Sequence, residues 1–303
     1  MKKNLVKKAV LPAIAALLCS VIALTSVSYA WFSLGTKASV DGMKMEVTSV
    51  GGLQVSADGS NFKDKLELAD LLFDGNNNHF PTETVTENED GSKTTKLETF
   101  NPVSTDGKAV KGELSFVTAE VVDGVTGNVK AQGVEEHYIV FDFYVLVTND
   151  TTLRLDVDSK VETTNGKESH LSSRVAFFVL GTQDTAEDAQ KIGVDNGIEA
   201  ESGQAKIWEP HKTTRSSAYS SRFGSANDGK EMAYNGLTLQ GESSQIETFD
   251  LGTDAEELFS LSAGYSKIRV YIWVEGQDVD CINGADGGAF NITLNFSIPE
   301  NNQ

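Results

Sequence analysis

The run at 278–287, Asp-Val-Asp-Cys-Ile-Asn-Gly-Ala-Asp-Gly, gathers oxygen-bearing side chains with glycines that let the backbone fold back on itself. That chemistry suits a hard cation such as Ca²⁺, with Asp278, Asp280, Asn283 and Asp286 as candidate ligands. The acid spacing fits only the first two places of an EF-hand loop, and Asp/Asn/Gly clusters are also ordinary turn chemistry. The same run holds Cys281. As a nucleophile it would need a lowered thiol pKa, and Asp278 and Asp280 beside it act in the opposite direction by disfavouring the thiolate. A small buried residue at a strand exit is the plainer reading.

Four histidines, His79, His137, His170 and His211, are scattered without a His-x-x-x-His pair or a His-Glu-x-x-His helix, so no zinc-protease pattern is present. Gly-x-Ser-x-Gly, Gly-x-x-x-x-Gly-Lys-Ser/Thr and Gly-x-Gly-x-x-Gly turns are missing too. The acid pairs Glu135-Glu136 and Glu256-Glu257 do not form the facing carboxylates of a glycosidase, because neighbours on a strand point to opposite faces. Trp208 and the pair Tyr271/Trp273 could stack on sugar rings or pack beneath long loops, packing being the ordinary fate of such aromatics. No catalytic residue and no resident cofactor is assigned, Ca²⁺ excepted as a possibility, and the expected class is non-enzymatic.

Strands must position these residues, because the dominant hydrophobic period is two. In 268–275 every even residue is aliphatic or Trp-flanked aliphatic, and in 290–298 every even residue is apolar, so each is expected to bury one face. The span 138–147 is more continuously apolar, with Asp142 interrupting one face, and is expected mid-sheet. Further strands are expected at 43–49, 53–56, 114–122, 153–157, 174–180 and 237–240. Short helices are expected at 66–73 and 185–192, with one turn at 255–259. Many strands, glycine-bearing turns and little helix indicate an all-β fold, a jelly-roll-like antiparallel β-sandwich, with long loop excursions near 74–111 and 181–234.

The 303 residues carry a formal charge of −19, yet residues 1–30 hold four lysines and no acid, leaving −23 on residues 31–303. So acidic a body disfavours nucleic acid and anionic lipid as partners. The N-terminus has a basic start, an uncharged run from Ala9 to Val27, and then Ser-Tyr-Ala at 28–30, the pattern of an export signal cut after Ala30, before Trp31. An uncleaved anchor is the competing reading, and in that case the segment itself would be the sole membrane attachment. Cys19 leaves with the signal, so Cys281 stays as the single cysteine of residues 31–303 and no internal disulfide forms. The expected organisation is a signal peptide at 1–30 and one sandwich domain at 31–303, exported through the Sec pathway to the cell surface or medium.

The segment Ala30-Trp31-Phe32-Ser33, followed by a short polar stretch and the first alternating strand, resembles exported proteins of Gram-positive bacteria processed by the SipW-type signal peptidase, namely the TasA biofilm-fibre proteins and the related camelysin and spore-coat-associated proteins. The run 270–281, followed by Gly287-Gly288 and the last strand, is similar to a pattern in exported proteins of that group. The resemblance covers about 20 residues at the start and 30 at the end. It implies a jelly-roll subunit of a biofilm matrix or fibre that associates with itself or with other matrix proteins, an N-terminal strand of one copy completing the sheet of the next. The residues concerned are Trp31, Phe32, Met43, Met45 and Val47. The counter-reading folds this strand into its own sandwich. The resemblance also implies the alternative of a camelysin-like surface metallopeptidase, for which no ligand motif carries over, and the fold admits a carbohydrate-binding or adhesin module.

Overall fold

The computed structural model describes residues 38–40, 45–50, 53–71, 78–80, 83–87, 93–100, 102–122, 125–130, 137–164, 166–211, 231–232, 245–246, 248–275, 278, 281 and 290–299. Strands dominate them and are numbered here in chain order. A central sheet of six strands runs β18 (Thr248–Phe249), β15 (Lys206–Trp208), β13 (Ser173–Gln183), β20 (Gly264–Val274), β10 (Tyr138–Val147) and β3 (Gln54–Ser56). A second runs β19 (Glu256–Leu261), β11 (Thr151–Leu155), β21 (Phe290–Ser297), β2 (Met45–Val50) and β4 (Lys65–Glu67), with β12 (Lys160–Thr163) also paired to β21.

The two sheets stack on one hydrophobic core, which makes the fold all-β and sandwich-like. Strand β10 supplies Ile139, Phe141, Phe143, Val145 and Val147, strand β20 supplies Ile268, Val270, Ile272 and Val274, and from the opposite sheet β21 sends in Phe290, Ile292, Leu294 and Phe296. Alternation produces this directly, since residues two apart share a face, and each such side chain withdrawn from water contributes about 1.5–3 kcal/mol. Strand β21 alternates buried and half-buried along its whole length, as its sequence predicts.

A third layer lies on the other face of the central sheet. It comprises a four-stranded sheet, β14 (Gly203–Gln204), β7 (Ser104–Val110), β8 (Glu113–Val122) and β9 (Val125–Lys130), together with the helix Ala186–Gln190 and the segment following it. Val103, Ala109, Leu114, Phe116, Ala189, Ile192, Ala200 and Ala205 from this layer meet Val140, Tyr144, Ala176, Phe178, Tyr271 and Trp273 of the central sheet. Two small sheets complete the described strands: β1 (Ala38–Val40), β6 (Lys93–Phe100) and β5 (Glu83–Glu87), and β16 (Glu231–Met232) with β17 (Gln245–Ile246).

Several expectations are corrected. The stretches 74–111 and 181–234, expected as long loops or small excursions, carry strands β5, β6 and β7 in the first and a helix with strands β14, β15 and β16 in the second. The turn of helix expected at 255–259 is strand β19, fixed by pairing with β11. Where a helix was expected at 66–73, Leu66 lies in β4 and, among the described residues of that span, Leu68–Leu71 is helical. The helix expected at 185–192 is present as Ala186–Gln190, capped by the Thr185 side chain, which accepts from Asp188 N. The sandwich is not purely antiparallel: β2 runs parallel to β21, and β15 runs parallel to β18. The expected strand at 237–240 lies outside the described residues.

Candidate functional site

The outer face of the central sheet, sealed by the third layer, concentrates the buried ionisable groups. Antiparallel pairing sets Asp142 of β10 opposite Arg269 of β20. The guanidinium grips the carboxylate through two bonds, Nε to Oδ1 at 2.6 Å and Nη2 to Oδ2 at 2.9 Å. Lys267, two residues before Arg269 and so on the same face, brings Nζ to 3.4 Å from Asp142 Oδ2 and donates to Ile192 O at 2.9 Å. Its ammonium also sits 5.5 Å from the centre of the Tyr144 ring. Asp142 and Lys267 are fully buried and Arg269 is 2% exposed.

A hairpin turn closes this cluster. Strands β7 and β8 are joined by Lys111 and Gly112, both at positive φ (52° and 78°), the backbone of a two-residue type I′ hairpin. Glycine is required at 112 for a second reason: a Cβ there would lie 2.4 Å from Leu180 Cδ2. The turn delivers Gly112 O to the Tyr271 hydroxyl at 3.2 Å and the Glu113 carboxylate to Arg269 Nη1, while Tyr271 Oη accepts from Leu114 N at 3.3 Å. Two acids and two bases thus meet, with Glu113 forming the solvent-facing end at 60% exposure.

Burial works against the charge on both cations, with different outcomes. For Arg269 the hydrogen bonds and charge of Asp142 outweigh burial and hold the guanidinium above its ordinary value. For Lys267 burial wins, with the Arg269 charge adding to it, and the ammonium is pushed below its ordinary value despite Asp142. Burial likewise raises the phenols of Tyr271 and Tyr144, and pushes Tyr138 up to about 12. Chemically the cluster is an electrostatic tie between layers.

A second cluster lies at the other end of the same face. Arg174, 1% exposed and paired across the sheet with Trp273, binds the carboxylate of Asp278 and lies 3.1 Å from Glu209 Oε1. Thr248 Oγ1 donates to Glu209 Oε2 at 2.7 Å, tying β18 to the residue after β15. Trp273 Nε1 donates to Glu275 Oε2 at 3.0 Å. Cys281 N donates to Asp278 O at 3.1 Å and the thiol is buried, its pKa raised by burial and then by Asp278 and Glu275.

The residues singled out from sequence fall as follows. Asp278 is 5% exposed with its carboxylate on Arg174, and Asp280, Asn283 and Asp286 lie outside the described residues. Ala30, Trp31, Phe32 and Met43 also lie outside them. Met45 and Val47 are in β2, in register with Ile292 and Leu294 of β21. Trp208, Tyr271 and Trp273 are at most 2% exposed, so these rings are core and offer no exposed sugar platform. Glu257 pairs with Arg154 at 2.7 Å on the surface. Among the described residues no set of three or more His, Cys, Asp and Glu is arranged to hold a metal. The residues that sequence reasoning missed are Arg174, Lys267 and Arg269; for Lys267 and Arg269 the available signal was a base at alternate positions of a strand whose remaining outward residues are aromatic, and Arg174 on β13 carries no such signal. Comparison with protein-family models, with curated proteins and with solved structures finds no match to this chain.

Proposed function

We propose that the chain is an exported, non-catalytic structural subunit of the cell surface or extracellular matrix, built on a jelly-roll-like sandwich, that self-associates by lending its N-terminal strand to a neighbouring copy. The observation that supports this most is the place of β2. It is an interior strand, in register with β21 from Met45↔Ile292 to Val50↔Ser297 on one side and with β4 from Glu46↔Glu67 to Thr48↔Lys65 on the other. An interior strand makes ladder hydrogen bonds on both edges, so a copy lacking its own β2 presents a slot that a strand from another copy fills with the same bonds. Cleavage after Ala30 would leave fourteen residues ahead of β2, a reach of roughly 46 Å when extended. The likeness of the mature start to fibre-forming exported proteins points the same way.

The register supplies the test. Cysteines at Glu46 and Thr293, which face each other across the β2/β21 ladder, are introduced into residues 31–303 with Cys281→Ser. Oxidation after incubation at high concentration is expected to give a ladder of disulfide-linked oligomers on a non-reducing gel, with fibres by electron microscopy. Cross-links confined to single chains at every concentration, with uniform single particles, would refute strand exchange.

A further inference from the structure

We propose that His170 and His211 form a two-imidazole site for a divalent transition metal of borderline softness, Zn²⁺ or Cu²⁺. The two residues lie 41 positions apart, His170 on the 3₁₀ turn Ser169–Ser172 that leads into β13 and His211 three residues beyond β15, and the fold brings their ring centres to 4.9 Å with planes at 85°. Each ring has one nitrogen on a backbone carbonyl: His170 Nδ1 is 3.1 Å from Lys167 O and His211 Nε2 is 2.9 Å from Val161 O. A carbonyl only accepts, so each of those nitrogens carries the proton. The lone pairs of the neutral rings are thereby fixed on His170 Nε2 and His211 Nδ1. A metal-binding histidine is oriented in this way, its other N–H held by a carbonyl or carboxylate.

The spacing agrees with shared ligation. With metal–nitrogen bonds of about 2.0–2.1 Å and a tetrahedral angle at the metal, two imidazole ring centres fall roughly 5 Å apart, against 4.9 Å here. Both rings are partly exposed, which leaves a path for an ion. Burial and the neighbouring His211 hold His170 below the usual histidine value, which favours the neutral form of that ring. Of the charged groups acting on His170, Glu168 is the anion, and it favours an approaching cation. Imidazole nitrogen selects Cu²⁺ and Zn²⁺ over Ca²⁺ and Mg²⁺, with Cu²⁺ the tighter of the two. The remaining coordination positions fall to water, which makes this an open site. A bound ion would clamp the turn before β13 to the segment after β15, where β12 already supplies the Val161 carbonyl.

The test uses the untagged full chain in a non-chelating buffer containing excess CaCl₂ to occupy surface carboxylates. Titration calorimetry with ZnCl₂ is expected to show one saturable site, weakened by about 100-fold in H170A and in H211A and unchanged in H137A. The Cu²⁺-loaded wild type is expected to give an electron paramagnetic resonance spectrum with coupling to two imidazole nitrogens. Absence of saturable Zn²⁺ binding, binding indifferent to either histidine, or a spectrum showing fewer than two imidazoles would overturn the proposal. The spectrum decides the matter on wild type alone should a variant fail to fold, and none of these outcomes depends on whether the chain forms fibres.

Discussion

Replacing Asp142 by asparagine keeps the shape of the side chain and removes the charge that two buried cations share. Asp142 accepts from Arg269 at 2.6 and 2.9 Å and lies 3.4 Å from Lys267 Nζ, and none of the three is more than 2% exposed. Breaking a buried pair by deleting one partner costs about 3–5 kcal/mol, because the other charge stays in a medium that solvates it poorly. Two features bound the loss here. Arg269 retains Glu113, although that carboxylate is 60% exposed, and Lys267, already below its ordinary value, can shed its proton. The expected loss is therefore about 3–5 kcal/mol, which at about 2–4 °C per kcal/mol for a chain of this size lowers Tm by roughly 6–20 °C. Urea unfolding followed by circular dichroism reads it directly. The control is E257Q: Arg154 Nη2 to Glu257 Oε1 is also short, 2.7 Å, but Glu257 is 64% exposed, and such a pair contributes under about 1 kcal/mol. The double variant D142N/R269M should be less destabilised than the sum of its single variants, since it removes both ends of the fork. If D142N loses no more than E257Q, burial does not set the worth of this cluster and the reasoning fails.

G112A combines a positive φ with the Leu180 clash and should destabilise by about 2 kcal/mol or more in a thermal melt, whereas K111G, at φ 52°, should be close to neutral. The Cys281 thiol of residues 31–303 should resist a thiol reagent in the native state and react fully once urea unfolds the chain, since it is buried and its pKa is raised; rapid native labelling would contradict the packing. Tyr138, Tyr144 and Tyr271 should titrate above the ordinary phenol range when absorbance is followed at alkaline pH, and near 10 in urea. Between pH 10 and about 12 the folded chain then holds protons that the unfolded chain releases, so stability must fall as pH rises through that window; a flat profile there would refute the assignment.

What the sequence made legible follows from where periodicity carries information. Strand β21 alternates cleanly, and its buried residues are the apolar ones. Strand β20 has the same aliphatic period, and from it one buried face was expected, yet Ser266 to Val274 is buried throughout. Its outward residues, Lys267, Arg269, Tyr271 and Trp273, look like a solvent face because two are charged. They are covered because their polar ends find partners: Ile192 O for Lys267, Asp142 and Glu113 for Arg269 and Gly112 O for Tyr271, all from other parts of the chain, and Glu275, two residues on, for Trp273. Local pattern records none of the distant partners. The turn at 255–259 was misread for a related reason, since Glu256 and Glu257 favour helix locally and only the ladder to β11 makes them strand. The His170/His211 pair was invisible because its members are 41 residues apart and follow no metal-binding spacing.

The choice of base at the buried positions carries a physical meaning. The sequence has 25 lysines and arginines, of which only five, at 154, 174, 215, 222 and 269, are arginine. Two of those five, Arg174 and Arg269, are the guanidiniums buried on the outer face of the central sheet, each holding two carboxylates that come from other elements. A planar fork that stays charged can bind a carboxylate through two parallel bonds and still reach another, which an ammonium does with less directional control. Glu113 comes from the third layer, Asp142 from β10, Glu209 from the end of β15 and Asp278 from the turn after β20. Apolar residues at 269 and 174 would bury as well or better, but they would accept any hairpin that is greasy enough. The arginines accept only an arrangement that brings two acids to a fixed place, so they fix which segment covers which part of the sheet. In a chain whose residues 31–303 contain a single cysteine, that geometric selection fixes the layers without a disulfide inside those residues.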